Sequence, residues 1–420
     1  MLSWPSIFGQ TLIKYLRWSE KYLKTDMVYL FKGGFWLSIG QAISVASTFL
    51  LSIAFANILP KEIYGTYKYI LSVIGILAIP TLGGINTAVI QAIAKGHDGA
   101  FLPALKTKIY WGAIGALGSL IVSLYYFLVD NQTLGIAFLI AAIFVPVMDS
   151  LALFDSFLQA KKEFKRSTKY SVISQLFAGG CLFLAIWFTR NLLVIVFVYL
   201  ASWTLIRFIF IKLIVRELPK TNNSELEVIS YGKHLSFMTI INSIAGYLDR
   251  LLIFHYFGPA EVAIYSIAIA PPEQLKAFIS LINNLALPKF SARLKTESHF
   301  SITKKVVNLT VLTTFLSFAY IVTAPYIFPI FFPKYTEAIF YSQLFAISFI
   351  ATAAVLPYTL MLARASKKEL YFFNTSLSVL QISLLVILTY FFGVLGAIIS
   401  RIITRFYSFG LSFFLVQRKD

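Results

Sequence analysis

Charge is what this chain has least of: 13% of its 420 residues are Asp, Glu, Lys or Arg, while 58% are hydrophobic and the mean hydropathy is +0.79. A water-exposed surface uses about a quarter charged residues, so a set of soluble domains is excluded. The missing polar cover means that much of the surface faces lipid, and the chain reads as an integral membrane protein.

Acidic residues are scarcer still, 18 against 36 Lys and Arg, which leaves a formal charge of +18. In a soluble chain that excess would point to nucleic acid. Here it reads as cationic loops held at the cytoplasmic membrane face, and no nucleic-acid partner is expected. Cysteine is nearly absent: Cys181 alone excludes an internal disulfide, and with four scattered His it offers no zinc site. No G-x-x-x-x-G-K-[ST] loop occurs, so nucleotide hydrolysis is excluded as a motor. Loops large enough to carry the carboxylates of a catalytic centre are also missing, which favours a transporter over an enzyme.

What the chain has in abundance is apolar runs of about 20 residues, the length a helix needs to cross about 30 Å of hydrocarbon. Twelve fit, at 34–57, 66–90, 108–129, 133–155, 168–189, 191–214, 233–256, 262–286, 303–326, 336–361, 370–391 and 394–416. An all-α protein of about 12 transmembrane helices is therefore expected. The loops alternate in charge: 27 of the basic residues fall on one side and four, Lys61, Lys68, Arg190 and Lys334, on the other. The positive-inside rule then puts both termini on the cytoplasmic side of the membrane.

Residues 1–32 mix Trp4, Phe8, Tyr15, Trp18 and Tyr22 with Lys14, Arg17, Lys21 and Lys24, too polar to span and suited to an interfacial amphipathic segment on anionic lipid. The polar stretch 216–232 divides six spans (33–215) from six (233–420) and reads as a cytoplasmic linker between two bundles. An internal echo supports the division. Leu59-Pro60-Lys61-Glu62-Ile63-Tyr64-Gly65-Thr66-Tyr67 matches Gly258-Pro259-Ala260-Glu261-Val262-Ala263-Ile264-Tyr265 with one gap, at the same place in each half. Pro80 with Gly83-Gly84, and Pro271-Pro272, are expected to break spans 2 and 8 where they line a pathway.

Charges inside spans cost about 2.5–3.5 kcal/mol even on the lenient insertion scale, so each must face protein or water. They are Asp149, Arg207, Asp249, Arg250, Glu273, Lys276, Arg401 and Arg405. Arg401 and Arg405 are four apart and share one helix face. Glu273 and Lys276, three apart, can neutralise each other. Asp249 and Arg250 point about 100° apart and need separate partners. Asp149 and Arg207 sit near the cytoplasmic end, where a structural role competes with a functional one. Five bases against three acids suit an anionic cargo, since guanidinium groups match phosphate oxygens in pairs.

The residues Lys32-Gly33-Gly34-Phe35-Trp36, Gly40-Gln41, Pro60-x-Glu62-x-Tyr64-Gly65-x-Tyr67, Gly83-Gly84-Ile85-Asn86-Thr87-Ala88, and Tyr247-Leu248-Asp249-Arg250 followed by Gly258-Pro259 carry a family resemblance. From about residue 30 onward the chain resembles the polysaccharide biosynthesis, or O-antigen flippase, family of the multidrug/oligosaccharidyl-lipid/polysaccharide (MOP) exporter superfamily. The resemblance implies two six-helix bundles forming a V around a central cavity that opens alternately to each side. It implies a cargo as well, an undecaprenyl-diphosphate-linked polysaccharide repeat unit, with membrane lipid and other polysaccharide-assembly proteins as partners. Gln41 and Asn86, within its motifs, join the eight intramembrane charges as candidate substrate-binding residues. No cofactor is called for beyond a coupling ion, H+ or Na+. Two alternatives stand beside this reading: a cation-coupled multidrug exporter of the same superfamily, and a non-transporting membrane component of polysaccharide synthesis.

Overall fold

The computed structural model describes residues 27–218, 226–293, 299–358 and 367–417. Most of residues 1–32, read above as an interfacial segment, and part of the 216–232 linker lie outside the described residues. Among the described residues there is no strand. Hydrocarbon offers no hydrogen bonds, and a helix satisfies its own backbone within one segment. Eight helices precede the linker: α1 (Met27–Ile58), α2 (Lys61–Leu77), α3 (Gly84–Ala94), α4 (Phe101–Leu128), α5 (Gln132–Met148), α6 (Leu153–Ala160), α7 (Phe164–Phe188) and α8 (Leu192–Glu217). Five follow it: α9 (Leu226–Phe257), α10 (Pro259–Arg293), α11 (His299–Phe331), α12 (Ala338–Ala346) and α13 (Lys367–Gln417).

The chain is a multi-pass membrane protein. Among the described residues nine helices are long and apolar enough to cross a membrane, and the bent pair α2–α3 makes a tenth. The expected number was twelve. The difference falls at 262–286, which is α10, whose later side chains lie outside the described residues, and at 370–391 and 394–416, which form the single element α13. At 51 residues α13 would measure roughly 75 Å if straight, more than twice the hydrocarbon thickness. It turns back instead at Gly393, where φ is 58°, a value that costs glycine little. Gln381 on one leg and Arg401 on the other donate to neighbouring α9 carbonyls, those of Ala245 at 3.0 Å and Gly246 at 3.1 Å, so the two legs run side by side.

Helix α4 shows how sequence periodicity sorts lipid from protein. Ile114, Leu117, Ile121, Leu124 and Leu128 recur at alternating spacings of three and four, and all are exposed. Gly112, Gly115, Ser119 and Ser123 form the opposite stripe and are buried. Small residues there let α5 approach so closely that a Cβ on Gly112 would lie 2.7 Å from the Pro146 Cα.

The expected break in span 2 is present: α2 and α3 meet at 41° across a short 3-10 turn containing Pro80. The expected break in span 8 is not, because α10 runs on through the buried Pro271 and Pro272. Removing two N–H donors leaves the rest of the helical ladder in place. Both echo segments open a helix, α2 and α10, and those two helices cross each other.

The largest apolar core runs through that crossing, joining Phe55, Tyr64, Tyr67 and Ile70 to Ile264, Ala268, Phe328 and Phe332. At the end of the bundle beyond it, Lys61 donates to Glu337, Lys334 Nζ to the Asn57 carbonyl at 2.6 Å, and Asn57 Nδ2 to the Phe331 carbonyl at 2.9 Å. Tyr69 stacks on Phe254 with ring centroids 3.8 Å apart. The two halves are thus fastened at the Lys61–Glu337 end. Towards the other end α3 packs on α9, where the Gly84 N–H meets the Ser236 hydroxyl at 2.9 Å and Lys233 lies 5.1 Å from the centroid of the Trp111 ring.

Candidate functional site

In the carboxy-terminal half the intramembrane charges largely neutralise one another. Asp249 on α9 is fully buried, and its carboxylate accepts from Arg401 on α13, from the Tyr265 hydroxyl on α10 and, at 2.8 Å, from the backbone N–H of Arg250. One α-helical turn along α13, Arg405 donates to Glu273 of α10 and, at 2.8 Å, to the Ser348 hydroxyl. Lys276 stands 3.8 Å from the same Glu273. The shared face of Arg401 and Arg405 therefore meets two carboxylates of the protein itself, and the Glu273–Lys276 pair is secondary to Glu273–Arg405. In a low-dielectric interior each ion is held by its partner, and each of these five groups has one within the protein.

Arg250 differs. Its side chain points into a cavity of about 380 Å³ between the halves, lined from α1, α2, α7 and α8 on one side and α9 and α10 on the other. Lys68 of α2 lines the same cavity, lying 5.3 Å from the centroid of the Tyr64 ring. Among the described residues no hydrogen bond or carboxylate partner engages either cationic side chain, and the Arg250 Nε is buried without one. Glu273 also lines this cavity but is already engaged by Arg405.

Lys68 corrects the charge count made from sequence. It was placed in an outer loop, whereas α2 begins at Lys61 and carries Lys68 two turns inward. The signal was available: Tyr64, Lys68 and Leu71 are spaced by four and three, one helical stripe, and all three face the cavity. Lys108, one of the 27 basic residues counted on the cytoplasmic side, is likewise fully buried within α4. Its ammonium donates to Asn86 Oδ1 at 3.0 Å and lies 4.0 Å from Asp149, which also accepts from Thr81 at 2.8 Å. Asp149 is thus tied to the bend between α2 and α3.

The remaining candidates gather in the amino-terminal half. Gln41, Asn86 and Arg207 line a second cavity together with Asp155 and Trp203. Arg207 donates to the Met148 carbonyl at 2.8 Å and lies 4.6 Å from the centroid of the Trp203 ring, so it is held by protein groups as well.

Compared with known proteins, the chain matches the polysaccharide biosynthesis protein family over residues 30–292, more than half its length. It belongs to that family. The motif residues that carried the resemblance lie within the matched stretch. No curated protein matches the chain in sequence. Among solved structures it is similar to a lipid II flippase, MurJ, in an inward closed conformation: TM-score 0.74 at 13% identity, over 90% of this chain and 87% of that one. It is similar also to a multidrug resistance MATE family transporter of the MOP superfamily. The outward-facing form gives a TM-score of 0.59 at 12% identity, over 93% of this chain and 96% of that one. The inward-facing form gives 0.62 at 11%, over 90% and 94%.

At these identities the likeness is one of fold, and the fold is that of the MOP superfamily. The chain is thus a member of the polysaccharide biosynthesis protein family with the fold that a lipid II flippase and MATE transporters share.

Proposed function

We propose that the chain moves a polyprenyl-diphosphate-linked oligosaccharide across the cytoplasmic membrane by alternating access of its two halves. The observation that carries the reading is the pair Lys68 and Arg250. They come from opposite halves, line one cavity and have no carboxylate within ion-pair distance, while Arg401 has Asp249, Arg405 and Lys276 share Glu273, and Arg207 has a carbonyl. Two uncompensated cations in a confined, low-dielectric space favour a polyanion, and a diphosphate supplies acceptor oxygens to both an ammonium and a guanidinium. The same pair disfavours an organic cation as cargo.

Because the two cations belong to different halves, a bound anion draws the halves together around itself. Release then requires the halves to part at one end. On this reading the Lys61–Glu337 end faces outward, in keeping with the charge asymmetry of the loops, and both termini are cytoplasmic. The polyprenyl tail stays in lipid throughout.

The test is translocation of a fluorescent short-chain polyprenyl-diphosphate oligosaccharide in proteoliposomes, scored by access of an external reagent, with and without a proton or sodium gradient. Lys68→Ala with Arg250→Ala abolishes movement, and Lys68→Arg with Arg250→Lys retains it. Unimpaired movement in the double alanine variant, or gradient-driven export of an organic cation by the wild type, overturns the reading.

A further inference from the structure

Glu273 lines the central cavity, but the two cations that engage it, Arg405 and Lys276, line another. That second cavity lies within the carboxy-terminal half and measures about 250 Å³, roughly the space of eight water molecules. Its walls come from α9, α10, residues 351–358 and both legs of α13, and none of its lining residues borders the cavity of Lys68 and Arg250. The side chains of Lys276 and Arg405 are 44% and 19% exposed, so a molecule in the cavity can reach both.

The charges here do not balance. Arg405 takes the Glu273 carboxylate in a direct hydrogen bond, while the Lys276 ammonium stands 3.8 Å from it, beyond hydrogen-bond distance. Asp249, the buried carboxylate on α9, is taken by Arg401. Two cations thus share one carboxylate, and among the described residues no Asp or Glu lines the cavity. The chain adds none beside them, since 274–296 and 338–368 contain no acidic residue. A surplus positive charge inside a membrane is costly without a counter-charge, which marks this as a place for an anion.

Asn242, Thr352, Asn374 and Ser408 bring amide and hydroxyl groups to the same walls. A phosphate group suits this set, because its several oxygens accept from an ammonium, a guanidinium and neutral donors at once. A cation is repelled by the surplus charge, and a neutral sugar leaves it uncompensated. Phe373 and Leu377 add an apolar stretch on which an acyl chain can lie, so the phosphate is either free or the headgroup of an anionic phospholipid. We propose that this cavity is an anion site separate from the cargo path, holding a phosphate group between Lys276 and Arg405. It does so whatever the central cavity carries.

The experiment measures the melting temperature of the full chain in nanodiscs, in two arms. One adds inorganic phosphate to phosphatidylcholine nanodiscs, against chloride at equal ionic strength; the other replaces part of the phosphatidylcholine by phosphatidylglycerol. Both are run on the wild type and on Lys68→Ala with Arg250→Ala, in which the central cations no longer contribute. A rise of about 2 °C or more is expected in at least one arm for both proteins, and the arm that shows it names the source of the phosphate. Lys276→Met leaves the Glu273–Arg405 pair in place and is expected to abolish the rise, whereas Lys276→Arg keeps it. In chloride and phosphatidylcholine alone the methionine variant should melt no lower than its parent, since the charge it removes is surplus. No rise in either arm, a rise confined to the wild type, or a rise undiminished by Lys276→Met overturns the site.

Discussion

Gly65 of α2 meets Pro259 at the start of α10 so closely that a Cβ on the glycine would lie 1.7 Å from the proline carbonyl oxygen, and 3.2 Å from the backbone nitrogen of Ala263. Gly65 and Ala263 are corresponding positions of the sequence echo. The repeat therefore contacts itself, and the absence of a side chain on one copy lets the two helices cross. Gly65→Leu cannot be accommodated without backbone movement. It should part the halves at this end, and labelling of a cysteine placed at the buried cavity residue Ser266, in a Cys181→Ser background, should rise several-fold with a bulky maleimide.

Lys61 and Glu337 fasten the same end from opposite halves, both partly exposed. An ion pair in such a place contributes about 0–1 kcal/mol. Reversing either charge alone should raise Ser266→Cys labelling by up to about 5-fold, and Lys61→Glu with Glu337→Lys together should return it towards the wild-type rate. No recovery in the double reversal would show that the pair is incidental to closure.

Glu261, in the first turn of α10, lies beside this clasp. Burial first, and the Glu337 charge second, push its carboxyl above the ordinary glutamate value, against an opposing effect of Lys61. A carboxyl raised in the fastened state holds its proton better there than in the open one. Its contribution to closure is thus complete below about pH 4.3, the ordinary value, and is lost as the pH climbs through the raised value. The distance between spin labels at Asp130 and Phe340 should lengthen over that rise, and Glu261→Gln should flatten the response.

Arg401→Ala leaves Asp249 fully buried without its guanidinium, a change that costs about 3–5 kcal/mol. Thermal unfolding in detergent should show a large fall for Arg401→Ala and a smaller one for the pair Arg401→Gln with Asp249→Asn, which removes both charges. Lys68→Ala, which breaks no ion pair, should unfold close to the wild type. Equal melting temperatures for Arg401→Ala and Lys68→Ala would contradict the division of labour drawn here. Loss of export on replacing Arg401 and Arg405 together would accordingly report on the fold as much as on the cargo.

Composition and hydropathy sufficed for the class of fold, and the break at Pro80 was legible because proline and paired glycines act locally. The intramembrane charges were legible as a set but not in their roles. Arg401 and Arg405 find their carboxylates 152 and 132 residues away in the chain, on helices whose approach no spacing rule discloses. Lys68 and Lys108 were missed because they sit near the ends of apolar runs, where a count of loop charges absorbs them.

A cation that arrives by diffusion is present in proportion to its concentration in the bath, and dilution removes it. Arg401 is delivered by the chain itself, at an effective concentration set by geometry rather than by the medium, on the order of millimolar or above for a tethered partner. The carboxy-terminal half carries its own counter-ion, so the charge at its centre is balanced by the chain and not by an ion borrowed from the medium.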